Sequence, residues 1–298
     1  MSKSITLSFV MSLILFCFGC GDSSNESTSS TESAVANAPT SLIPGMKMRP
    51  GVDEACLPQE PVEETTEDGA AAPKRSKGYT PMDSVTDGGT ISGTVSYAGS
   101  ETDQLVDVTS DNTVCDDPAT PGKTKEGALI VSNGKLKNAV VFLDGIKSGK
   151  SFEPQSVTVD NVNCMFSPRV ALMRKGDELA ALNSDPVLHN THLFLKKGQK
   201  KRDLENIALA SKGTLVKKKV KKTGLVDIKC DAHRWMQGWI YVTDHPYSTL
   251  TDANGAFKLE DVPPGEYTLK VWHEKLPRQK AKVTVAANGA TTQDFSIE

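Results

Sequence analysis

From residue 88 onward the chain alternates apolar and polar side chains in short runs rich in Val, Ile and Thr, each broken within a few residues by Gly, Pro or Asn-Gly. A period of two puts successive side chains on opposite faces of an extended strand, and almost no stretch carries the 3.6-residue period of an amphipathic helix. The expected fold class is all-β. The exception is residues 204–210, where Asp203 stands in a good N-cap position for a helix of about two turns. A length of 298 residues leaves room for about two domains. The formal net charge of −3, from 34 basic and 37 acidic residues, speaks against a dedicated nucleic-acid binder.

The N-terminal third reads differently. Lys3 precedes an apolar run over residues 5–18, shorter than the ~20 residues that span a bilayer, so it reads as a signal peptide. The run ends in Cys17-Phe18-Gly19-Cys20 and then Gly21-Asp22-Ser23-Ser24. This resembles a bacterial lipobox, although Cys17 and Phe18 stand where Leu and a small residue are usual. The resemblance implies that Cys20 is lipidated and begins the mature chain; the other reading is a plain secretory signal. Residues 21–87 are rich in Ser, Thr, Glu, Pro and Ala, carry 12 acidic and 5 basic residues, and have the composition of a disordered tether. Cys56 in this tail has no neighbouring ligand partner and reads as an unstructured thiol. The expected location is the periplasm or an outer-membrane surface, with a lipid holding the head domain to the membrane.

At the other end, Thr251-Asp252-Ala253-Asn254-Gly255-Ala256-Phe257-Lys258-Leu259 is followed by Val262-Pro263-Pro264-Gly265-Glu266-Tyr267-Thr268-Leu269-Lys270-Val271. Asp252 to Gly255 makes a hairpin turn, the Pro-Pro-Gly step a reversal, and the flanking apolar residues alternate to one side. This pattern resembles the carboxypeptidase regulatory-like domain, which implies a small, non-catalytic, transthyretin-like β-sandwich. Its opening strands would be Thr90-Ile91-Ser92-Gly93-Thr94-Val95 and Ala139-Val140-Val141-Phe142-Leu143, about 100 residues upstream. Residues 88–148 and 244–298 are therefore expected to form one discontinuous sandwich carrying a second β-domain, residues 152–243, inserted within it. Three consecutive small β-units are the alternative.

The chemistry concentrates in Cys230-Asp231-Ala232-His233-Arg234-Trp235-Met236. A thiolate, an imidazole and a thioether within seven residues suit copper, for which a His₂Cys set with a weak axial Met forms a blue-copper site. The second imidazole is available in Val187-Leu188-His189-Asn190. One distant His followed by Cys, His and Met resembles the cupredoxins, with a ligand loop most similar to that of amicyanin and a His-Asn pair like that of plastocyanin-type domains. The resemblance implies a Greek-key β-sandwich over residues 152–243, with copper held by His189, Cys230, His233 and Met236. It also implies that the backbone N–H of Asn190 supports the thiolate. Structural zinc is the competing metal, but such sites seldom use a thioether and usually need more Cys or His.

His192 lies three residues after His189 and so on the opposite strand face, where a surface or packing role is expected. His245 and His273 read as packing or interdomain residues. Cys115 and Cys164 are expected to form a disulfide, which an exported chain permits; closing a loop of about 50 residues is worth roughly 4 kcal/mol in the chain-entropy estimate. Between Lys196 and Lys222 stand 11 basic residues against only Asp203 and Glu205. This is either a solvated face, with Lys217, Lys219 and Lys221 discouraging pairing at a strand edge, or a docking surface that steers an acidic redox partner or an anionic membrane surface. With no nucleophile triad or phosphate loop, the expectation is a one-electron carrier and not an enzyme. Copper storage, delivery or sensing, or an adhesion or scaffold module, are the alternatives.

Overall fold

A computed structural model describes residues 78–298; the signal segment, Cys20, Cys56 and most of the tether lie outside the described residues. The described residues are nearly all β, arranged as two sandwiches. In the first, one sheet orders the strands Ser248–Leu250, Val140–Asp144, Gly265–Trp272 and Gln279–Val285. The facing sheet runs Ala256–Val262, Gly89–Tyr97, Lys135–Leu136, Val131–Ser132, with Ala290–Thr292 and Phe295–Ile297 added in parallel along Gly89–Tyr97. Ile91, Val95, Leu136, Val141, Leu143, Phe257, Leu259, Leu269, Val271 and Ile297 fill the space between them.

The Asp252–Gly255 turn is held by the Asp252 carboxylate, which accepts the N–H groups of Asn254 and Ala256 at 2.8 and 2.9 Å. Gly255 is required there, since its φ of +68° is left-handed and a Cβ would collide with the Val95 carbonyl. The sandwich also begins earlier than the tether boundary at residue 87. Tyr79 is buried in its core, and Thr80–Met82 pairs in parallel with Ser148–Lys150, because the aromatic ring finds apolar cover and its hydroxyl donates to the Lys150 carbonyl at 2.7 Å.

The second sandwich pairs a five-stranded sheet, in the order Val170–Arg174, Gln237–Thr243, Gly224–Lys229, His189–Lys197, Lys200–Leu209, with the sheet Met165–Ser167, Ser156–Val162, Glu178–Asn183, Leu215–Lys219. Lys200–Leu209 corrects the helix expected at 204–210. It is an edge strand antiparallel to His189–Lys197, with a bulge where Leu193 and Phe194 face Glu205 and Asp203. Leu204 is the extra residue, and its presence breaks the period-two pattern so that Leu204, Ile207 and Ala208 imitate helical spacing. Sheet pairing prevails over the local preference, and Asp203 meets His192 where a cap was expected.

The two sandwiches pack through one sheet each. The strand Val140–Asp144 is apolar on both sides for this reason: Val141 and Leu143 face the first core, while Val140 and Phe142 meet Val170, Trp239 and Trp272. Trp239 and Trp272 meet edge-on with ring centroids 5.5 Å apart. Buried Arg169 clasps the Glu274 carboxylate through Nε at 2.7 Å and Nη2 at 2.8 Å, and also donates to the Glu126 carbonyl. A buried guanidinium needs such partners, because an unpaired one would cost several kcal/mol (about 3–5).

Candidate metal centre

The strands Gly224–Lys229 and Gln237–Thr243 are antiparallel neighbours with Lys229 opposite Gln237, so residues 230–236 form the loop that joins them. The loop is tightened by the Met236 N–H, which donates to the His233 carbonyl at 3.0 Å. On the other side His192 pairs with Lys229, which carries Cys230 alongside the start of the strand His189–Lys197. Sheet register thus brings residues 41 positions apart to one end of the sandwich.

Three donor atoms converge there. Cys230 Sγ lies 3.8 Å from His189 Nδ1 and 3.6 Å from His233 Nδ1, and the two imidazole nitrogens are 3.0 Å apart. All three side chains are buried. The backbone N–H of Asn190 donates to Cys230 Sγ at 3.3 Å, while its side chain turns away to Asn206. Met236 is fully buried and belongs to the same core cluster as Cys230.

The outer edge of each imidazole meets a carboxylate. His189 Nε2 lies 2.9 Å from Asp185 Oδ2, and His233 Nε2 lies 2.9 Å from Asp111 Oδ2. A carboxylate can only accept, so the ring proton belongs on Nε2 and the lone pair on Nδ1, facing the sulfur. Burial by itself raises the Cys230 thiol, but without a metal each Nδ1 can also take a proton and donate it to the sulfur, and these hydrogen bonds from His189 and His233, with that from the Asn190 N–H, outweigh burial and bring the thiol down to about 6. Burial likewise lowers His233, yet contact with Cys230 and Asp111 prevails and raises it.

Two lone pairs and a thiolate within such a small triangle repel one another unless a cation lies among them. A triangle with sides of 3.0, 3.6 and 3.8 Å has its equidistant point about 2.0 Å from each corner. That length suits a metal–imidazole bond of about 2.0–2.1 Å and is slightly short for a metal–thiolate bond of about 2.3 Å. One soft sulfur beside two imidazoles suits copper in softness and number. The residues present therefore fit the metal that their pattern implies.

Other expectations sort by position. His192 lies on the outer face as a bridge between Asp203 and Asp231, at 3.0 and 3.1 Å, and these hydrogen bonds raise its pKa against the lowering effect of burial. His245 and His273 lie away from the triangle, each accepting the N–H two residues ahead through Nδ1. Cys115 and Cys164 are joined as a disulfide, with Cα atoms 5.1 Å apart. Their sulfurs fall within 4.8 Å of a His233 nitrogen, so the bond adjoins the donor set. Asp111 and Asp185 were not among the sequence candidates. Asp185 had a signal, four residues before His189; Asp111, 122 residues before His233, had none.

Residues 240–298 match the carboxypeptidase regulatory-like domain family. No curated protein matches the chain. Among solved structures, the chain is similar to the Cu-containing nitrite reductase of Thermus scotoductus SA-01, at 23% identity and a TM-score of 0.26, over 32% of this chain and 24% of that one. It thus spans about a quarter of the reductase's length. A purple cupredoxin from Nitrosopumilus maritimus is 22% identical with a TM-score of 0.26, over 30% of this chain and 100% of that one. Amicyanin from Paracoccus versutus is 19% identical with a TM-score of 0.25, over 29% and 80% of the respective chains. These likenesses are too slight to assign a function, and the donor geometry has to carry it.

Proposed function

We propose that this chain is an exported, lipid-tethered mononuclear copper protein that acts as a one-electron carrier and not as an enzyme. The observation that carries the reading is the triangle of His189 Nδ1, Cys230 Sγ and His233 Nδ1, with the Asn190 N–H on the sulfur. Copper would supply the redox step, passing between its cupric and cuprous states. The protein's residues supply the rest. His189 and His233 present their Nδ1 lone pairs, Cys230 presents a thiolate at neutral pH, and Met236 supplies a fourth, softer donor from the same loop. Asp185 holds the His189 ring, and is itself held by the N–H groups of Asn163 and Cys164, both at 2.8 Å. The surrounding core, with Val159, Phe166, Leu209 and Ile228, excludes water and resists rearrangement of the donors. Little movement on gain or loss of an electron is what a carrier requires.

The partner we infer is an acidic redox protein. The edge strands Lys200–Leu209 and Leu215–Lys219 flank a cleft of about 560 Å³ lined mostly by apolar side chains such as Leu193 and Val226, together with Glu205 and five basic residues, Arg202, Lys218, Lys219, Lys221 and Lys222. Lys217 and Lys218 are paired with Glu178 and Glu205 at 2.9 and 2.8 Å, leaving a net positive face. Docking there should weaken as salt rises.

Copper reconstitution of the full chain tests the reading. One copper per chain, intense thiolate-to-copper absorption and fast reversible reduction are expected, and Cys230→Ser should remove the absorption. Failure to take up copper overturns the proposal. Tight cuprous binding with sluggish redox turnover would instead assign the site to storage or delivery.

A further inference from the structure

Residues 103–127 leave the first sandwich between the strands Gly89–Tyr97 and Val131–Ser132 and run to the donor end of the second. The excursion is closed at its base, where the Asp103 carboxylate accepts the N–H groups of Gly127, Ala128 and Leu129 at 2.8, 2.9 and 3.2 Å. Its limbs pair as the short strands Leu105–Asp107 and Lys123–Lys125. With its own strand pair and a single helical turn at Asn112–Cys115, the excursion is held in one shape.

Two independent contacts fix its tip. Asp111 precedes the single turn Asn112–Cys115 at the N-cap position, where an Asp side chain ordinarily accepts a backbone N–H of the helix. Here the carboxylate makes no such bond and meets His233 Nε2 at 2.9 Å, from a left-handed backbone at φ 51°. Four residues on, Cys115 is covalently joined to Cys164 of the second sandwich, whose N–H is held by Asp185, the partner of His189. Val108 and Cys115 join the core cluster that contains Cys230 and Met236.

We propose that residues 103–127 form a strap that closes the donor triangle, with Asp111 as the positioning residue for His233 and the Cys115–Cys164 bond as its bolt. By fixing the proton on Nε2, Asp111 keeps the Nδ1 lone pair turned inward, and the strap buries both His233 and Cys230. Metal in this site is retained, and its exchange is governed by release of the strap. The copper part of this inference rests on the function proposed above; the closure of Cys230 does not.

The test uses the full chain as wild type, Asp111→Ala, Asp111→Asn and the double variant Cys115→Ser/Cys164→Ser. In metal-free protein, alkylation of Cys230 by a maleimide, read by peptide mass spectrometry, is expected to accelerate about 10-fold or more when the bolt is removed. Hydrogen exchange should quicken across 104–126 while the amides of 226–228 keep their protection, which separates strap release from global unfolding. In copper-loaded protein, transfer to a cuprous chelator should be about 10–100-fold faster in Asp111→Ala if the affinity lost with a carboxylate behind a ligating His, about 10–100-fold, is expressed in the rate of release. Asp111→Asn retains an acceptor oxygen and should restore most of the wild-type rate. If the double variant does not fold, Asp111→Ala decides alone, since it removes no core side chain. Wild-type rates of both alkylation and copper transfer in folded variants overturn the strap. Absence of copper from the wild type, together with faster Cys230 alkylation on removing the bolt, would overturn the copper reading and leave the strap standing.

Discussion

The two sandwiches solve the same packing problem with different interiors. The first is closed by aliphatic and aromatic side chains, and its buried polar residues, such as Thr251, have simple partners: the Thr251 hydroxyl donates to the Leu136 carbonyl and accepts the Ala139 N–H. The second buries Asn161, Asn183, Asp185, His189, Asp227 and His233. Some of these, such as Asn183, satisfy backbone carbonyls, here those of Val187 and Leu209. The triangle at its end is different, because it has no structural need that an apolar trio would not meet better. Buried polarity beyond what packing requires marks the functional end of the molecule.

Substitutions on the two sides test this contrast, and the largest effect is expected in the first sandwich. Leu269→Ala should cost about 2–5 kcal/mol in chemical denaturation, because the fully buried side chain leaves a cavity. The variant should still bind one copper. The opposite signature is expected of Cys230→Ala, which should abolish copper absorption while costing the metal-free chain much less stability than Leu269→Ala, because it removes a single sulfur atom and leaves both imidazoles held by Asp185 and Asp111. Equal losses of stability in both variants would erase the distinction.

At the junction, Glu274→Ala removes the main partner of Arg169 and should destabilise the chain by about 3 kcal/mol. Tryptophan fluorescence should report it, because Trp239 Nε1 also donates to Glu274 at 3.0 Å. The neighbouring His273 supplies a pH dependence. Burial, reinforced by Arg169 and Lys275, lowers it to about 4 from an ordinary value of 6.5. Between these values the unfolded chain binds a proton that the folded one does not, so stability falls as pH drops from 6.5 and levels off below about 4. The loss should reach about 3 kcal/mol, and His273→Leu should flatten that part of a thermal-melt pH series. Smallest of all, Lys217→Ala should leave the melting temperature unchanged, because its pair with Glu178 is solvent-exposed.

Much of the fold was legible because strand alternation is local. The runs at 90–97, 139–143 and 265–271 needed only the two-residue period, and the Asp252–Gly255 turn only its side-chain chemistry. The segment 204–210 misled because one bulged residue, Leu204, shifts the period, and a bulge is defined by the partner strand. Tyr79 reads as part of the tether in sequence because a lone aromatic beside a polar tail carries no periodic signal.

Within the candidate site, Cys230, His233 and Met236 were legible as a contiguous group, since one loop between two strands brings them together whatever the rest of the chain does. His189 stands out in the sequence only as an available second imidazole, and its arrival depends on the pairing of His192 with Lys229. The β class and the kind of donors available follow from the residues alone, because side-chain period and ligand softness belong to individual residues and their near neighbours. That Asp111 stands behind His233, on a strap held by a disulfide, comes from the folded path. Contact across 122 residues is set by the path of the whole chain, and no local spacing records it.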